Sequence, residues 1–335
     1  MSSASSSPWQ TITKNDIEKP RLEASLNILD GHMTHFSRVA GIVYAVLSSA
    51  TFGLIPLFSI PLLESGVGAP TILSYRFMLA AVAVSIVMLA THRSFKLEKR
   101  ELGVVILLAA LYAATAILLL ESYKDIPSGA ATTIHFLYPL AVTLSMSLLF
   151  GEHISVVTYI AVGMSLVGVA LLAWGTHSSS NFGRGVTLAL MTVVTYAAYI
   201  IGVMRSRAAR INSLTLTFYV LVIGAVMFML YAFATTGIEA VHRWSNWRDL
   251  LMLSLICTVL SDFTLILAIK NIGSTMTSIL GSMEPLTAVI VGVMYFGERF
   301  DYSSITGLIL IILAVVLVIT QTQTNNRQEK ELTKM

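Results

Sequence analysis

The chain has 335 residues, of which 56% are hydrophobic and only 12% are charged, whereas about 25% of the residues of an average soluble domain are charged. Its apolar residues lie in long runs rather than in alternation, which excludes an ordinary soluble domain and indicates a polytopic membrane protein. The formal net charge of +3 carries little information, because membrane proteins use their basic residues mainly for orientation.

Residues 1–37 are polar, and they lack the basic start and apolar core of a cleaved signal peptide, so we predict a cytoplasmic tail. Ten apolar windows follow, each of about 20 residues and therefore able to cross a hydrocarbon core of about 30 Å as a helix. They are residues 38–59, 70–90, 103–120, 128–150, 154–173, 184–204, 213–234, 249–269, 274–296 and 302–321. Residues 322–335 are polar again and predict a second cytoplasmic tail.

The basic residues predict the orientation of these helices, because Lys and Arg accumulate in cytoplasmic loops. With the amino terminus inside, the inner segments hold fifteen Lys and Arg residues and the outer segments hold five. An even number of helices also places both termini on one side. We therefore predict a multi-pass protein of the plasma (inner) membrane with both termini in the cytoplasm.

A repeated segment relates the two halves of the chain. Residues 124–152 align without a gap with residues 270–298, and each copy contains a Pro-Leu pair and ends in Phe-Gly-Glu. Residues 41–52 match residues 185–196 more weakly. We interpret the Phe-Gly-Glu endings as loop geometry, in which Gly ends the helix and Glu is solvated.

The repeat predicts the fold class. A unit of five membrane crossings has an odd number of spans, so its two copies face opposite ways. We expect an all-α membrane protein of ten transmembrane helices in two inverted five-helix repeats, residues 38–173 and 184–321. Transporters built in this way bind their solute near the bilayer midplane, between the copies.

Tyr138-Pro139 and Glu284-Pro285 occupy equivalent positions near the middle of predicted helices 4 and 9. Together with Arg76-Phe77, the Phe-Gly-Glu endings and the two halves, they resemble the drug/metabolite transporter superfamily, in particular its EamA-type ten-helix exporters. The resemblance implies a central cavity lined mainly by helices 1–4 and 6–9, peripheral helices 5 and 10, and alternating access. Members of this family move amino acids, other small metabolites or drugs, and related branches move nucleotide sugars or sugar phosphates.

A charged side chain in the middle of a membrane helix costs about 2.5–3.5 kcal/mol, so it requires a partner or a function. Glu284 is a candidate for binding a substrate amine or carrying a proton; the alternative is a protonated Glu bonded to a neighbouring helix. His135 is a candidate proton relay or ligand contact, with an interhelical hydrogen bond as the alternative. Tyr138, at the position equivalent to Glu284, is expected to line the cavity.

Three further charged residues fall within or at the ends of predicted spans. Asp262 is a candidate for proton or cation binding, although pairing with a hydroxyl is the alternative. Arg76 and Glu121 are candidates for an ion pair that gates the outer mouth or joins two helices. Arg76 is alternatively suited to a carboxylate substrate, because its guanidinium donates two parallel hydrogen bonds.

Pro139 and Pro285 predict helix kinks, either static or acting as hinges for alternating access. Gly53, Gly163 and Gly168 predict close contacts between helices.

The leading functional hypothesis is a secondary active transporter, an exporter of amino acids or related small metabolites or drugs. The alternatives are an intramembrane lipid-processing enzyme, a channel, and a nucleotide-sugar or sugar-phosphate exchanger. The expected partners are a small-molecule solute and the lipid bilayer, with no nucleic acid and no catalytic activity. We predict no cofactor, and coupling to protons remains open.

Three other kinds of site are not indicated by the sequence. His32 and His35 are too isolated to indicate a metal site. The single Cys257 excludes a disulfide within the chain, and the sequence contains no Gly-rich phosphate loop.

Overall fold

The computed structural model describes residues 38–150, 156–175, 181–235, 237–281 and 283–332. The predicted amino-terminal tail, with His32 and His35, lies outside these residues, as do Gly151 and Glu152 of the first Phe-Gly-Glu ending. The described part of the chain is helical and contains no strand.

The first half comprises α1 (38–53), α2 (Ile55–Glu64), α3 (Ala69–Ala90), α4 (Lys99–Ser122), α5 (Ser128–His135), α6 (Tyr138–Phe150) and α7 (Val156–Gly175). The second half comprises α8 (Phe182–Arg205), α9 (Ser213–Ala234), α10 (Trp244–Ser254), α11 (Ser261–Leu280), α12 (Met283–Phe296) and α13 (Tyr302–Leu332), with a short 3₁₀ turn at Arg207–Arg210 and a π-helical turn at Leu255–Leu260.

Seven helical spans are long and apolar enough to cross a membrane, and three shorter apolar helices accompany them among the described residues. The shorter ones, Tyr159–Leu171, Met283–Phe296 and Tyr302–Leu317, fall in predicted helices 5, 9 and 10. The predicted fold class, an all-α polytopic membrane protein, is confirmed. The count of ten membrane crossings stays a prediction.

Helix boundaries differ from the prediction at several places, and α13 continues to Leu332, so most of the predicted tail at residues 322–335 is helical. The predicted first helix is interrupted at Leu54 and continues as α2 to Glu64, because Pro56 stands in the first turn of a new helix, where its missing N–H costs nothing. The predicted loop at residues 270–273 lies inside α11, which is helical from Ser261 to Leu280.

The two central prolines each follow an interruption of the helix. The α5 helix ends at His135 and α6 begins at Tyr138, so Pro139 occupies the first turn of α6. Likewise, α11 ends at Leu280 and α12 begins at Met283, two residues before Pro285.

Equivalent helices of the two halves pack against each other, namely α3 with α9 and α7 with α13. The α5 helix, from predicted helix 4, packs against α12, from predicted helix 9. Equivalent side-chain contacts also recur. The hydroxyl oxygens of Thr115 and Thr195 are 2.7 Å apart, and those of their repeat equivalents, Ser261 and Thr51, are also 2.7 Å apart. Each half therefore makes the same hydroxyl contact with the other half.

Close packing between the halves depends on glycine. A Cβ atom at Gly185 would lie 2.7 Å from Ile126 Cγ2, and one at the equivalent Gly41 would lie 2.6 Å from Ile272 Cγ2. Gly168 approaches Gly307 and Ile311 of α13 in the same way. The prediction of a close contact at Gly163 is wrong for the described part of the chain, because none of its atoms lies within 4 Å of a Cβ at that position.

The second Phe-Gly-Glu ending has a more specific role than the predicted solvated loop. Gly297 takes a φ of 63°, a conformation open to glycine, and ends α12. The Glu298 carboxylate accepts hydrogen bonds from Ser128 N and Ser128 Oγ, both at 2.7 Å. A carboxylate of the second half thus caps the amino terminus of α5 in the first half.

Asp301 caps the start of α13 in a similar way. Its Oδ1 accepts from Ser304 N at 2.9 Å and from Ser303 Oγ at 3.0 Å, and these hydrogen bonds lower the pKa of the carboxyl group. The helix-capping contribution of Asp301 is therefore present above the ordinary carboxyl pKa and is lost as pH falls through the lowered value.

Candidate functional site

A cavity of ≈ 600 Å³ lies between the two halves. It receives side chains from predicted helices 1–4 of the first half and helices 6, 8 and 9 of the second. Five of the predicted site residues line it: Arg76, His135, Tyr138, Pro139 and Glu284. The others, Asp262, Glu121 and Pro285, are not among its lining residues.

Glu284 enters this cavity from the first turn of α12. The chain interruption before α12 brings it there, and Glu284 N donates to Gly281 O at 3.0 Å. Within the described residues, no side chain or backbone group donates a hydrogen bond to its carboxylate. The carboxylate is therefore available to a ligand or a proton.

Arg76 is buried beside the π-helical turn Leu255–Leu260. Its Nε donates to Thr258 Oγ1 at 3.0 Å, and its Nη2 donates to Cys257 O at 3.5 Å. A π-helical turn shifts the backbone register and releases carbonyl groups, which is why such turns recur at functional sites. Both partners are neutral, and no described carboxylate forms an ion pair with the guanidinium, so its charge remains available to an anionic group.

The predicted ion pair between Arg76 and Glu121 is wrong. Glu121 instead contacts Lys124 Nζ at 2.6 Å and Arg184 Nη2 at 3.3 Å. Arg184 Nη1 also donates to Asp125 Oδ2 at 2.8 Å. These four residues form an ionic cluster that connects the end of α4 and the loop after it with the start of α8 in the other half.

Replacing Arg184 by Gln is expected to lower the free energy of unfolding by about 1 kcal/mol, a value typical of a partly exposed ion pair. The Asp125 side chain is only 5% exposed, so its carboxylate loses a partner that water replaces poorly. Thermal unfolding in detergent at low and high salt measures the effect, which should shrink as salt screens the pair. Lys124→Gln is the control, because its carboxylate partner Glu121 is more exposed than Asp125 and the pair should contribute less. An equal effect of the two variants, or insensitivity to salt, would contradict the assignment.

His135 is buried against α8. Its Nδ1 lies 2.8 Å from Thr192 Oγ1, so the interhelical hydrogen bond predicted as the alternative role of His135 is present. The imidazole also borders the cavity. Its ring centroid lies 5.6 Å from that of Tyr138 and 5.2 Å from that of Tyr196.

An aromatic wall forms one side of the cavity, and sequence reasoning identified only one of its four tyrosines. Tyr138 meets Tyr196 edge to face with ring centroids 4.7 Å apart, and Tyr196 stacks on Tyr199 at 5.8 Å. The ring centroid of Tyr112 lies 5.2 Å from that of Tyr199, so Tyr112 extends the wall beyond Tyr199. The sequence did contain a signal, since Tyr196 and Tyr199 are three residues apart on one helix face in the middle of a span. This wall offers apolar surface and hydroxyl groups together.

Asp262 lies in the first turn of α11, directly after the π-helical turn. It is half-buried, and it is near enough to Arg76 and Tyr112 to interact with both electrostatically. Asp262 is therefore close to residues that line the cavity without being one of them. Within the described residues, no three His, Cys, Asp or Glu side chains converge as a metal site.

A model of the EamA-like transporter family matches the chain twice, at residues 39–174 and 183–320. The chain belongs to the EamA-like transporter family. Two matches within one chain agree with the repeat that the sequence predicted, and membership confirms the resemblance.

Relatives of this EamA-like protein cover most of its length. Protein RarD of Streptomyces exfoliatus is 26% identical over 83% of this chain and 87% of its own length. The uncharacterized transporter YvbV of Bacillus subtilis (strain 168) is 24% identical over 71% of this chain and 79% of its own length. The uncharacterized inner membrane transporter YedA of Escherichia coli K12 is 24% identical over 77% of this chain and 81% of its own length. A solved crystal structure shares the fold with a TM-score of 0.57 at 16% identity, covering 84% of this chain and 96% of its own.

The family and the apolar helices together establish a multi-pass membrane transporter. Its partners are accordingly the lipid bilayer and a small-molecule solute. The cavity between the two halves is the candidate site for that solute.

Proposed function

We propose that this EamA-like protein is a secondary active transporter that exports amino acids or related small metabolites by alternating access. The observation that carries the proposal is that one cavity between the halves holds charges of both signs, Arg76 from the first half and Glu284 from the second. Neither charge is neutralised by an ion pair among the described residues. The site is therefore complementary to a solute that carries both an anionic and a cationic group.

The lining chemistry supports a small zwitterion in particular. Arg76 presents donors suited to a carboxylate, and Glu284 presents acceptors suited to an ammonium group. The tyrosine wall then covers the apolar part of the solute. A cavity of ≈ 600 Å³ has the size of a typical small-molecule site.

Alternating access would proceed by movement of the two halves about this cavity. The interruptions before Pro139 and Pro285 supply points at which α5 and α6, and α11 and α12, change their mutual angle. The cycle consists of binding and conformational change, and it forms no covalent bond. The proton gradient or the gradient of the solute itself would drive it. We place the protein in the plasma (inner) membrane with both termini cytoplasmic, as the distribution of Lys and Arg predicts.

Counterflow in proteoliposomes tests the proposal. Vesicles loaded with an unlabelled solute should accumulate the same labelled solute transiently, and protein-free vesicles should not. The panel should contain zwitterionic amino acids, their amine and carboxylate analogues, and neutral sugars. Accumulation is expected for zwitterions foremost, and failure of every compound would contradict the transport function.

A further inference from the structure

A chain of two hydrogen bonds leads from the backbone of α8 to the cavity. Thr192 Oγ1 donates to Ala189 O at 2.6 Å, and it lies 2.8 Å from His135 Nδ1. A threonine hydroxyl has one proton to donate. Because that proton is directed to Ala189 O, the hydroxyl must accept from the imidazole, and Nδ1 therefore carries a hydrogen.

The position of the Nδ1 hydrogen decides what the imidazole offers to a ligand. In a neutral imidazole protonated at Nδ1, the second nitrogen, Nε2, has a free lone pair and acts as an acceptor. No described group donates a hydrogen bond to Nε2, and the imidazole lines the cavity. His135 thus presents an acceptor to the cavity, beside the rings of Tyr138 and Tyr196.

Glu284 lines the same cavity and is an acceptor as well. Two acceptors bordered by aromatic rings suit a solute nitrogen with more than one N–H group. A protonated primary amine has N–H groups to donate to either acceptor, whereas a quaternary ammonium group has none and forms no hydrogen bond with them.

The repeat supports this selectivity, because the arrangement occurs in one half only. The repeat equivalent of His135 is Gly281, which has no side chain, although it also lines the cavity. The equivalent of Thr192 is Ser48, whose hydroxyl donates to Ser261 O at 2.8 Å. The pair formed by His135 and Thr192 is therefore not required by the symmetric fold.

We propose that Thr192 is a positioning residue that sets solute specificity: by accepting from His135 Nδ1 it keeps Nε2 as an acceptor, so that the cavity selects solutes bearing a primary amine over their N,N,N-trimethylated analogues. This inference rests on the proposed transport function, since it assigns a solute class to the same cavity. It is tested through binding, which does not require transport.

The experiment uses the full-length protein purified in detergent and two probes, phenethylamine and its N,N,N-trimethyl derivative. Isothermal titration calorimetry is expected to give the wild-type protein a preference of about tenfold for the primary amine, the size expected for a hydrogen bond to a charged group. Thr192→Val keeps the side-chain volume but removes the acceptor. Its preference for the primary amine should fall to about threefold, because the imidazole can then carry its hydrogen on Nε2, while Glu284 still accepts from the amine.

Thr192→Ser is the matched control, because it retains the hydroxyl and should retain the preference. The ¹⁵N chemical shifts of the His135 imidazole in the wild-type protein, assigned by their loss in His135→Gln, should show a protonated Nδ1 and an unprotonated Nε2. This measurement needs no Thr192 variant, so it tests the position of the imidazole hydrogen even if Thr192→Val fails to fold.

Four results would overturn the proposal: equal binding of both probes by the wild-type protein, a preference unchanged in Thr192→Val, an unprotonated Nδ1, or binding of neither probe. The proposed transport function fails separately. A preserved amine preference without any counterflow would refute transport and leave the specificity intact, and counterflow without amine preference would do the reverse.

Discussion

In proteoliposomes with an imposed proton gradient, Glu284→Gln is expected to lower solute exchange by about tenfold or more. A hydrogen bond to a charged group contributes about 1.5–3 kcal/mol, and the variant replaces this charge with a neutral amide. Gln also neither binds nor releases a proton, so the proton gradient should no longer stimulate the residual exchange. Counterflow with and without the gradient measures the two effects separately.

The matched control for this prediction is Glu64→Gln, which removes an exposed carboxylate at the end of α2, outside the cavity. Its exchange rate and its response to the gradient should equal those of the wild-type protein. If Glu284→Gln also leaves both quantities unchanged, Glu284 is a structural residue. If it lowers exchange equally with and without the gradient, Glu284 binds the solute and does not couple protons.

The sequence alone was sufficient to predict that Tyr138 and Glu284 occupy equivalent positions, and both line one cavity in the structure. The physical reason is the duplication itself. Predicted helices 4 and 9 are interrupted at equivalent places, and Tyr138 and Glu284 stand in the first turns of α6 and α12, directly after those interruptions. The two residues therefore reach the cavity from matching positions of the two halves.

The partners of Arg76 could not be predicted from the sequence. They depend on the π-helical turn at Leu255–Leu260, which rotates the residues before it relative to those after it. The sequence of this segment, apolar with one Thr and one Cys, resembles that of any buried helix. The partner of Glu121 was missed for a different reason, since Arg184 is 63 residues away in the chain and reaches Glu121 only after the halves have assembled.

The structure combines a symmetric scaffold with an asymmetric cavity. The hydroxyl contact between Thr115 and Thr195 recurs between Ser261 and Thr51, and both contacts join helices of different halves. Among the described residues that line the cavity, Glu284 is the only carboxylate, since its repeat equivalent is Tyr138. Contacts that hold the halves together must satisfy both copies, whereas a ligand with two different ends requires two different partners.

Gly53→Ala is expected to cause the largest loss of stability among the predicted variants. A Cβ atom at Gly53 would lie 2.5 Å from Glu284 O and 2.6 Å from Thr287 Cβ, and both atoms belong to, or are attached directly to, the backbone of α12. Neither can move away as the end of a flexible side chain would, so the whole start of α12 must shift. Overpacking of this kind costs about 1–3 kcal/mol.

The displaced turn also carries Glu284, so the same methyl group should impair transport as well as folding. Thermal unfolding in detergent should show a lower midpoint for Gly53→Ala, and counterflow should be reduced in the fraction that remains folded. Gly163→Ala makes the identical chemical change in a helix where no atom of the residues that the structure describes lies within 4 Å of the new atom. Because alanine favours a helix over glycine, this control should unfold at the same midpoint or slightly higher. Equal midpoints for the two variants would mean that α1 and α12 separate without cost, and Gly53 would then have no part in positioning Glu284.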